Sequence, residues 1–386
     1  MARTLDQILD LARWAPSGDN TQPWRFEIID GAHVVIHGVD TAQTRANCVY
    51  DLDGHPTQLS LGALIETLAI AATGFGLRAE VTRRPQGAQA MEPIFDVRLL
   101  PDSSVQPSPL IAAIPRRSVQ RRAFQTRALT AAEKTELEGC LNPGYRIRWF
   151  EGSANKWRLA RLMFQSAKIR LTIEEAYQVH KSIIAWGHRY SIDRVPDQSL
   201  GADPVALWFM RWAMRDWPRV QFLNRFFAGT WLPRLQMDLL PALRSGAHAA
   251  LLCDHPPESI DDYVAAGRCV QRFWLTATSL GLQKQPEITP LIFSRFAREG
   301  RAFTKSGPAM VLAQEVAAAA ERVIGGDLPN VVWLARLGHA PAASARSQRR
   351  SRADLNISAA GGGARPVAVA SGDNLINQSE QPSATP

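Results

Sequence analysis

Apolar residues recur at i, i+3 and i+4 spacing in two long stretches of the chain, and both stretches end alike. Gly62 begins GALIETLAIAATGFGLRAEV, a predicted helix that stops at a Gly-x-Gly-Leu run and enters a strand. Gly267 begins GRCVQRFWLTATSLGLQKQP, a helix of the same length with a Gly-Leu stop at Gly281 and Leu282. The pair predicts a weak internal repeat. Shorter segments carry strand character: Trp24 to Ile29 (WRFEII) and the following AHVVIH predict a hairpin turning at Asp30 and Gly31. Arg146 to Phe150 (RIRWF) and Val331 to Arg336 (VVWLAR) predict strands in the second half. Each half therefore offers helices packed on a few strands, the pattern of an α+β protein. From about Ala342 the periodicity is lost, and the Gly, Ser, Pro, Gln and Asn content predicts a disordered tail over 356–386.

Composition narrows the picture. With 386 residues and 46% hydrophobic content, the chain can bury one large or two medium cores. The start, MARTLDQILDLARWAPSGDN, lacks the apolar run and cleavage site of a secretory signal. Cys48, Cys140, Cys253 and Cys269 stand singly, with no CxxC pair, so neither a disulfide framework nor a zinc site is expected and a cytoplasmic setting is. Val205 to Leu235 concentrates Trp208, Trp212, Trp217 and Trp231 with Phe209, Phe222, Phe226 and Phe227, yet arginines interrupt it every few residues. No window reaches the roughly 18 uncharged apolar residues of a membrane span. The segment predicts helices lying over a pocket or a partner, with an interfacial amphipathic helix as the other reading.

A net charge of +8 and a pI near 9.7 invite a nucleic-acid reading. The excess is arginine in two clusters, Arg116, Arg117, Arg121, Arg122 and Arg127, then Arg346, Arg349, Arg350 and Arg352. Both flank Gly, Ser and Pro, and no helix-turn-helix, zinc-finger or RRM signature accompanies them, so they suit a small phosphate better than a polymer.

The densest chemical string is APSGDNTQPWRF, residues 15–26. Pro16 and Gly18 fix a tight turn, Ser17 and Asn20 present a hydroxyl and an amide suited to the polar edge of a ring system, and Pro23 and Trp24 pack the loop onto a sheet. Singly, these are ordinary residues of a helix end and turn. As a string they resemble the motif of FMN-dependent nitroreductases, which implies that Ser17, Gly18, Asn20 and Gln22 lie beside a flavin. PRRSVQRRAF, residues 115–124, resembles the Arg-Arg-Ser string of the same family and implies phosphate contacts from Arg116, Arg117, Ser118 and Arg121. Gln120 stands at the usual basic site, and a solvated basic linker is the plain alternative. RLGHAPAASARSQRRSR resembles the basic return to that phosphate and implies Arg346 with Arg349 or Arg350. GLQKQPEIT resembles the loop whose amides approach the flavin, which implies Pro286 and Ile288. Its usual acidic and glycine positions read Ile288 and Thr289.

The motif order departs from the single-domain family, where Arg-Arg-Ser comes first. The resemblance, over roughly residues 5–355, is therefore to fused two-half chains of the Acg and MoeY kinds, the latter linked with molybdopterin biosynthesis. It implies a nitroreductase-like α+β fold of two tandem half-domains, each with helices on an antiparallel-rich sheet, forming a pseudo-dimer. The halves are expected at 1–110 and 111–341, with an aromatic lid insertion at about 190–240 and a basic phosphate-binding extension at 342–355. FMN would carry the chemistry, so no catalytic side chain or metal is needed, and NAD(P)H would donate electrons to a small electron-poor acceptor. The alternatives are a flavin-binding or sequestering protein without turnover, and an accessory protein to an adenylating partner. A monomeric pseudo-dimer or a homo-oligomer is expected, with no nucleic acid and no transmembrane segment. His180, His188 and Glu175 lie near the presumed site at helical spacing, and a packed helix face explains them equally.

Overall fold

The computed structural model describes residues 2–39, 48–85 and 92–357. Helix α1 (Ala2–Ala12) buries Leu5, Ile8, Leu9 and Ala12, one stripe of its surface, against the first core. Strands β1 (Trp24–Ile28) and β2 (His33–Gly38) form the expected hairpin, with the Asp30 carboxylate accepting from the amide of Ala32 at 2.7 Å inside the turn. After helix α2 (His55–Thr73) come β3 (Leu77–Arg83) and β4 (Ile94–Pro101). The four strands make one antiparallel sheet in the order β1-β2-β4-β3.

The second half repeats this plan. Helix α3 (Ala131–Gly139) opens with a capping box in which Thr130 and Glu133 exchange side-chain and main-chain hydrogen bonds, as the Leu-Thr-x-x-Glu spelling suggests. Strand β5 (Tyr145–Phe150) and helices α4 (Gly152–Thr172) and α5 (Glu174–Ile183) follow. An insertion carries helices α6 (Pro204–Ala213) and α7 (Trp217–Phe226) before the central strand β6 (Ala247–Cys253). Helix α8 (Ile260–Ser279), strand β7 (Gln283–Pro286), helices α9 (Thr289–Arg298) and α10 (Gly307–Ile324) and strand β8 (Val331–Gly338) complete the half. Its antiparallel sheet runs β7-β8-β6-β5.

The two halves lock together where α2 crosses α8. An added Cβ on Gly62 would lie 2.0 Å from the carbonyl of Val264, and one on Gly267 would lie 2.1 Å from the carbonyl of Leu59. The backbones touch at the first residue of each predicted repeat. One turn further along, Glu66 pairs with Arg272 and, at 3.0 Å, with Arg268, while Gln271 Nε2 donates to Thr67 Oγ1 at 2.9 Å. Counted from the two glycines, the fourth and fifth residues of one repeat meet the fifth and fourth of the other. Such reciprocity is the mark of an isologous, two-fold contact, here contained in one chain.

Beyond β8 the chain returns to the first half. Arg346–Ser347 pairs in parallel with Tyr190–Ser191, Leu355 is buried in the first core, and Asn356 bridges Phe26 beside β1. The expected tail over 356–386 thus begins as an edge partner of β1 at Asn356 and Ile357, and its remainder lies outside the described residues. Among the described residues no helix is long and apolar enough to cross a membrane.

Candidate functional site

The loop from Ser17 to Gln22 joins the end of α1 to β1, and it is strained. Asp19, Asn20 and Gln22 have φ of 50°, 63° and 51°, a region that costs an L residue on the order of 1 kcal/mol or more. Side-chain bonds hold it there. Ser17 Oγ accepts from the Gln22 amide at 2.9 Å. The buried Gln22 side chain donates to the carbonyls of Asn20 (3.1 Å) and Ile192 (2.8 Å), and its Oε1 accepts from the Arg350 amide at 2.9 Å. Asn20 Nδ2 donates to the Arg194 carbonyl at 3.3 Å, while its Oδ1 is buried without a hydrogen-bond partner. Gly18 is exposed at the tip.

At the α1 end of this loop the structure gathers the two arginine clusters. Arg117 is buried, donates to the Trp14 carbonyl at 2.9 Å and stacks over Trp274 at 4.6 Å. Arg346 donates to the Arg117 carbonyl at 3.2 Å and lies over Trp14 at 5.1 Å. Arg349 is buried and donates to the carbonyls of Ala15 (2.9 Å) and Gln348 (2.8 Å). Among the described residues, the hydrogen-bond partners of these three guanidinium groups are main-chain carbonyls, and the Nε of Arg117 and of Arg346 are buried with none. Burial, with the other arginines adding to it, pushes Arg117 far down and Arg349 down to about 9. Uncompensated, buried positive charge is costly, and an anion placed among these groups would offset that cost. Arg350 contributes its main-chain amide to Gln22, and its Nε is also buried without a partner.

The Arg-Arg-Ser string divides differently from the expectation. Arg116 is exposed to solvent and outside the cluster, Arg117 is its buried member, and Ser118 is half-buried beside it. The helical turn before the string points one of two adjacent arginines outward, and sequence spacing alone does not say which. Arg121 lies past the other end of the strained loop, donating to the Ser199 carbonyl at 3.2 Å.

A second group of polar side chains gathers there. Tyr50 and His180 share a 3.0 Å hydrogen bond between the phenol oxygen and Nε2, and Arg170 pairs with Asp238 at 2.8 Å. Asp238 sits on a turn of π-helix, Leu235–Leu239, a rare conformation that concentrates at functional sites. Burial pushes Asp19 up and Arg121 down, each partly offset by the other's charge. Burial, then the charge of Arg170, brings His180 down to about 3, and burial lifts the Tyr50 phenol far above its usual range. Asp19, Tyr50, Arg121, Arg170 and His180 are each half-buried. Both shifts favour the neutral forms, so the pair is joined by a hydrogen bond between a neutral imidazole and a protonated phenol. His188 is exposed, and Glu175 instead accepts from Thr304 Oγ1 (2.9 Å) and the Lys305 amide (3.0 Å), so the three helical residues do not form a group.

Pro286 ends β7, and Ile288 packs half-buried at the edge of two cores. Between them, Glu287 spends its amide on the Leu334 carbonyl (2.7 Å) and its carboxylate on His248 Nδ1 (2.6 Å), both side chains fully enclosed. One amide of that loop is thus committed to the sheet. Two further residues were invisible to motif reading. Lys284 is buried with its Nζ 4.4–4.6 Å from the rings of Phe273, Trp274 and Trp333 and no hydrogen-bond partner, and burial beside Arg117 pushes its ammonium far down. Arg336 is buried under Phe124 and gives hydrogen bonds to Gln285 and to the carbonyls of Arg121 and Arg122. An alternating strand pattern gives no hint that a buried lysine or arginine faces three rings or a loop. Within the segment expected as a lid, about 190–240, the carbonyls of Ile192 and Arg194 accept from Gln22 and Asn20 of the strained loop, and that of Ser199 from Arg121.

The profile of the Nitroreductase family matches residues 2–52, the segment that carries α1, the strained loop and the first hairpin. The chain is 29% identical over 297 residues to "Putative NAD(P)H nitroreductase Rv3131" of Mycobacterium tuberculosis, covering 75% of this chain and 77% of the relative. Among solved structures, it resembles a nitroreductase with bound FMN from Bacteroides fragilis at 11% identity and a TM-score of 0.32, over 61% of this chain and 89% of that one. It also resembles the FMN-dependent nitroreductase NfnB from Mycobacterium smegmatis in complex with NADPH, at 16% identity and a TM-score of 0.31, over 64% and 97%. Over three quarters of its length, then, the chain is similar to proteins named "Putative NAD(P)H nitroreductase".

Proposed function

We propose that this chain is an FMN-dependent oxidoreductase that takes reducing equivalents from NAD(P)H and passes them to a small electron-poor acceptor, its two fused halves building one cofactor site. The observation that carries this reading is the cluster of Arg117 and Arg349, both buried, with half-buried Arg346, three guanidinium groups without a carboxylate partner among the described residues, at the foot of a strained loop. Their orphaned N–H groups and planar forks fit a dianionic phosphate monoester. FMN, when bound, would supply the hydride chemistry. The protein's part is to hold and orient it: Arg117, Arg346 and Arg349 on the phosphate, Ser17 and Asn20 toward the polar edge of the ring, with the unpartnered Asn20 Oδ1 as a ready acceptor. At the Asp19 end, the Tyr50 phenol, hydrogen-bonded to neutral His180, holds a proton beside the loop.

The test begins with purified protein. Acid or heat release of bound flavin should yield one FMN per chain, and addition of NAD(P)H with an electron-poor acceptor should oxidise the nicotinamide. A yield near two per chain would overturn the single fused site. Protein that carries FMN but neither oxidises NAD(P)H nor is bleached by it is a flavin-binding protein without turnover.

A further inference from the structure

Helix α6 is apolar on two opposite faces. Leu207, Met210 and Met214 point inward onto a small core with Ile184, Val195 and Leu200. Val205, Trp208, Phe209 and Trp212, at i, i+3, i+4 and i+7, point outward, with Val205 76% and Trp208 70% exposed. The following helix and turn add exposed Phe222, Phe226, Phe227 and Trp231. Nine of the eighteen large apolar side chains exposed among the described residues fall within residues 205–232, so this is a built patch and not scattered surface.

Charge identifies what covers it. Residues 205–235 hold five arginines (211, 215, 219, 225 and 234) against one acid, Asp216, a net charge of +4. Asp216 is spent locally, capping the Arg219 amide at 3.0 Å and pairing with its guanidinium at 2.8 Å. Arg234 is buried, which leaves Arg211, Arg215 and Arg225 exposed around the aromatic surface, Arg225 stacked over Phe226 at 5.5 Å. A second copy placed face to face on this patch would set +4 against +4. An anionic bilayer surface matches both properties at once: tryptophan and phenylalanine enter the headgroup boundary, and arginines neutralise acidic headgroups. We infer that α6 and α7 form a peripheral membrane-docking surface for anionic lipid, holding the protein on the bilayer without spanning it.

The inference is tested by co-flotation of the full chain with vesicles of phosphatidylcholine alone or mixed with phosphatidylglycerol. Binding should be about 100-fold tighter to the anionic vesicles, as three surface arginines imply, and should weaken as salt is raised. Arg211→Ser/Arg215→Ser/Arg225→Ser should lose the lipid preference, and Trp208→Ser/Phe209→Ser/Trp212→Ser should lose flotation, both with unchanged far-UV circular dichroism. Equal binding to both vesicle types, or flotation unmoved by both triple variants, overturns it. So does a parent that stays off vesicles and sediments as a dimer which the aromatic variant splits, since the patch is then a protein–protein interface.

Discussion

Gly62 and Gly267 occupy equivalent places in two helices of one chain, and each is pressed against the other helix's backbone closely enough that a methyl group on either would overlap a carbonyl oxygen. The crossing sets the separation of the two halves, and with it the position of Arg117 relative to the loop at Ser17. Packing at one helix crossing therefore decides geometry at a distant site.

Glycine to alanine within a helix normally stabilises by about 1 kcal/mol. Here the overlap reverses the sign: Gly62→Ala and Gly267→Ala are each expected to cost about 1–3 kcal/mol or more, because backbone cannot yield as a side chain can. Gly139→Ala, at the exposed end of α3 with nothing within 4 Å, should be neutral or stabilising. Denaturant midpoints of the three variants provide the comparison, and a neutral Gly62→Ala would show that the helices can part.

Arg117→Ala should weaken FMN binding by roughly 10- to 150-fold, the effect of losing a charge-assisted contact worth about 1.5–3 kcal/mol. Arg116→Ala should change it little, since that side chain is solvated. Fluorescence titration of cofactor-stripped protein measures both, and equal losses would remove the distinction drawn between the two arginines.

Lys284 gains from three ring faces but has no anion or hydrogen-bond partner, and desolvation of a lone ammonium outweighs what the rings return. Lys284→Met keeps the length and removes the charge. Cofactor-free Lys284→Met should melt at a higher temperature than the parent while binding FMN less tightly, because one positive charge beside Arg117 of the proposed phosphate site is gone. A lower melting temperature would mean that the ring cage is the stronger effect.

His180 titrates at about 3 in the folded protein against an ordinary 6.5. Between these values the unfolded chain binds a proton that the native state refuses, so its contribution is intact above about pH 6.5 and is lost as the pH falls, at no more than about 1.4 kcal/mol per unit. Partial exposure makes the real slope smaller. His180→Gln should flatten the acid side of the stability profile, read from urea unfolding at several pH values between about 7 and about 4. A variant whose profile parallels the parent's would place the acid sensitivity elsewhere.

Much of the fold was legible because it follows local periodicity. RIRWF and VVWLAR lie in strands, WRFEII and AHVVIH do so apart from Ile29 and Ala32 at the turn, and the two Gly-led repeats are the helices that cross. Strand β6 was not read, since AHAALLC lacks the β-branched, alternating spelling of a strand and is one only because strands cover it on both sides. At the site, the meeting of Arg117 with Arg346 and Arg349 was foreshadowed by motif resemblance, while the outward turn of Arg116 was not. His248 with Glu287, and Lys284 with its three rings, are pairings between segments far apart in the chain, which no spacing encodes.

The arginine that reaches Ala15 does so from 334 residues downstream. Closing so long a loop is entropically slow to reward, and during translation the strained segment near the start must wait for one of the last described stretches to be made before the proposed anion site is complete. On the proposed site, cofactor capture becomes a report on synthesis: a chain cut or stalled between Gly338 and Arg346 keeps both sheets' sequences yet lacks Arg346 and Arg349. Retention of cofactor would then sort finished molecules from unfinished ones, a quality check written into the order in which the residues are joined.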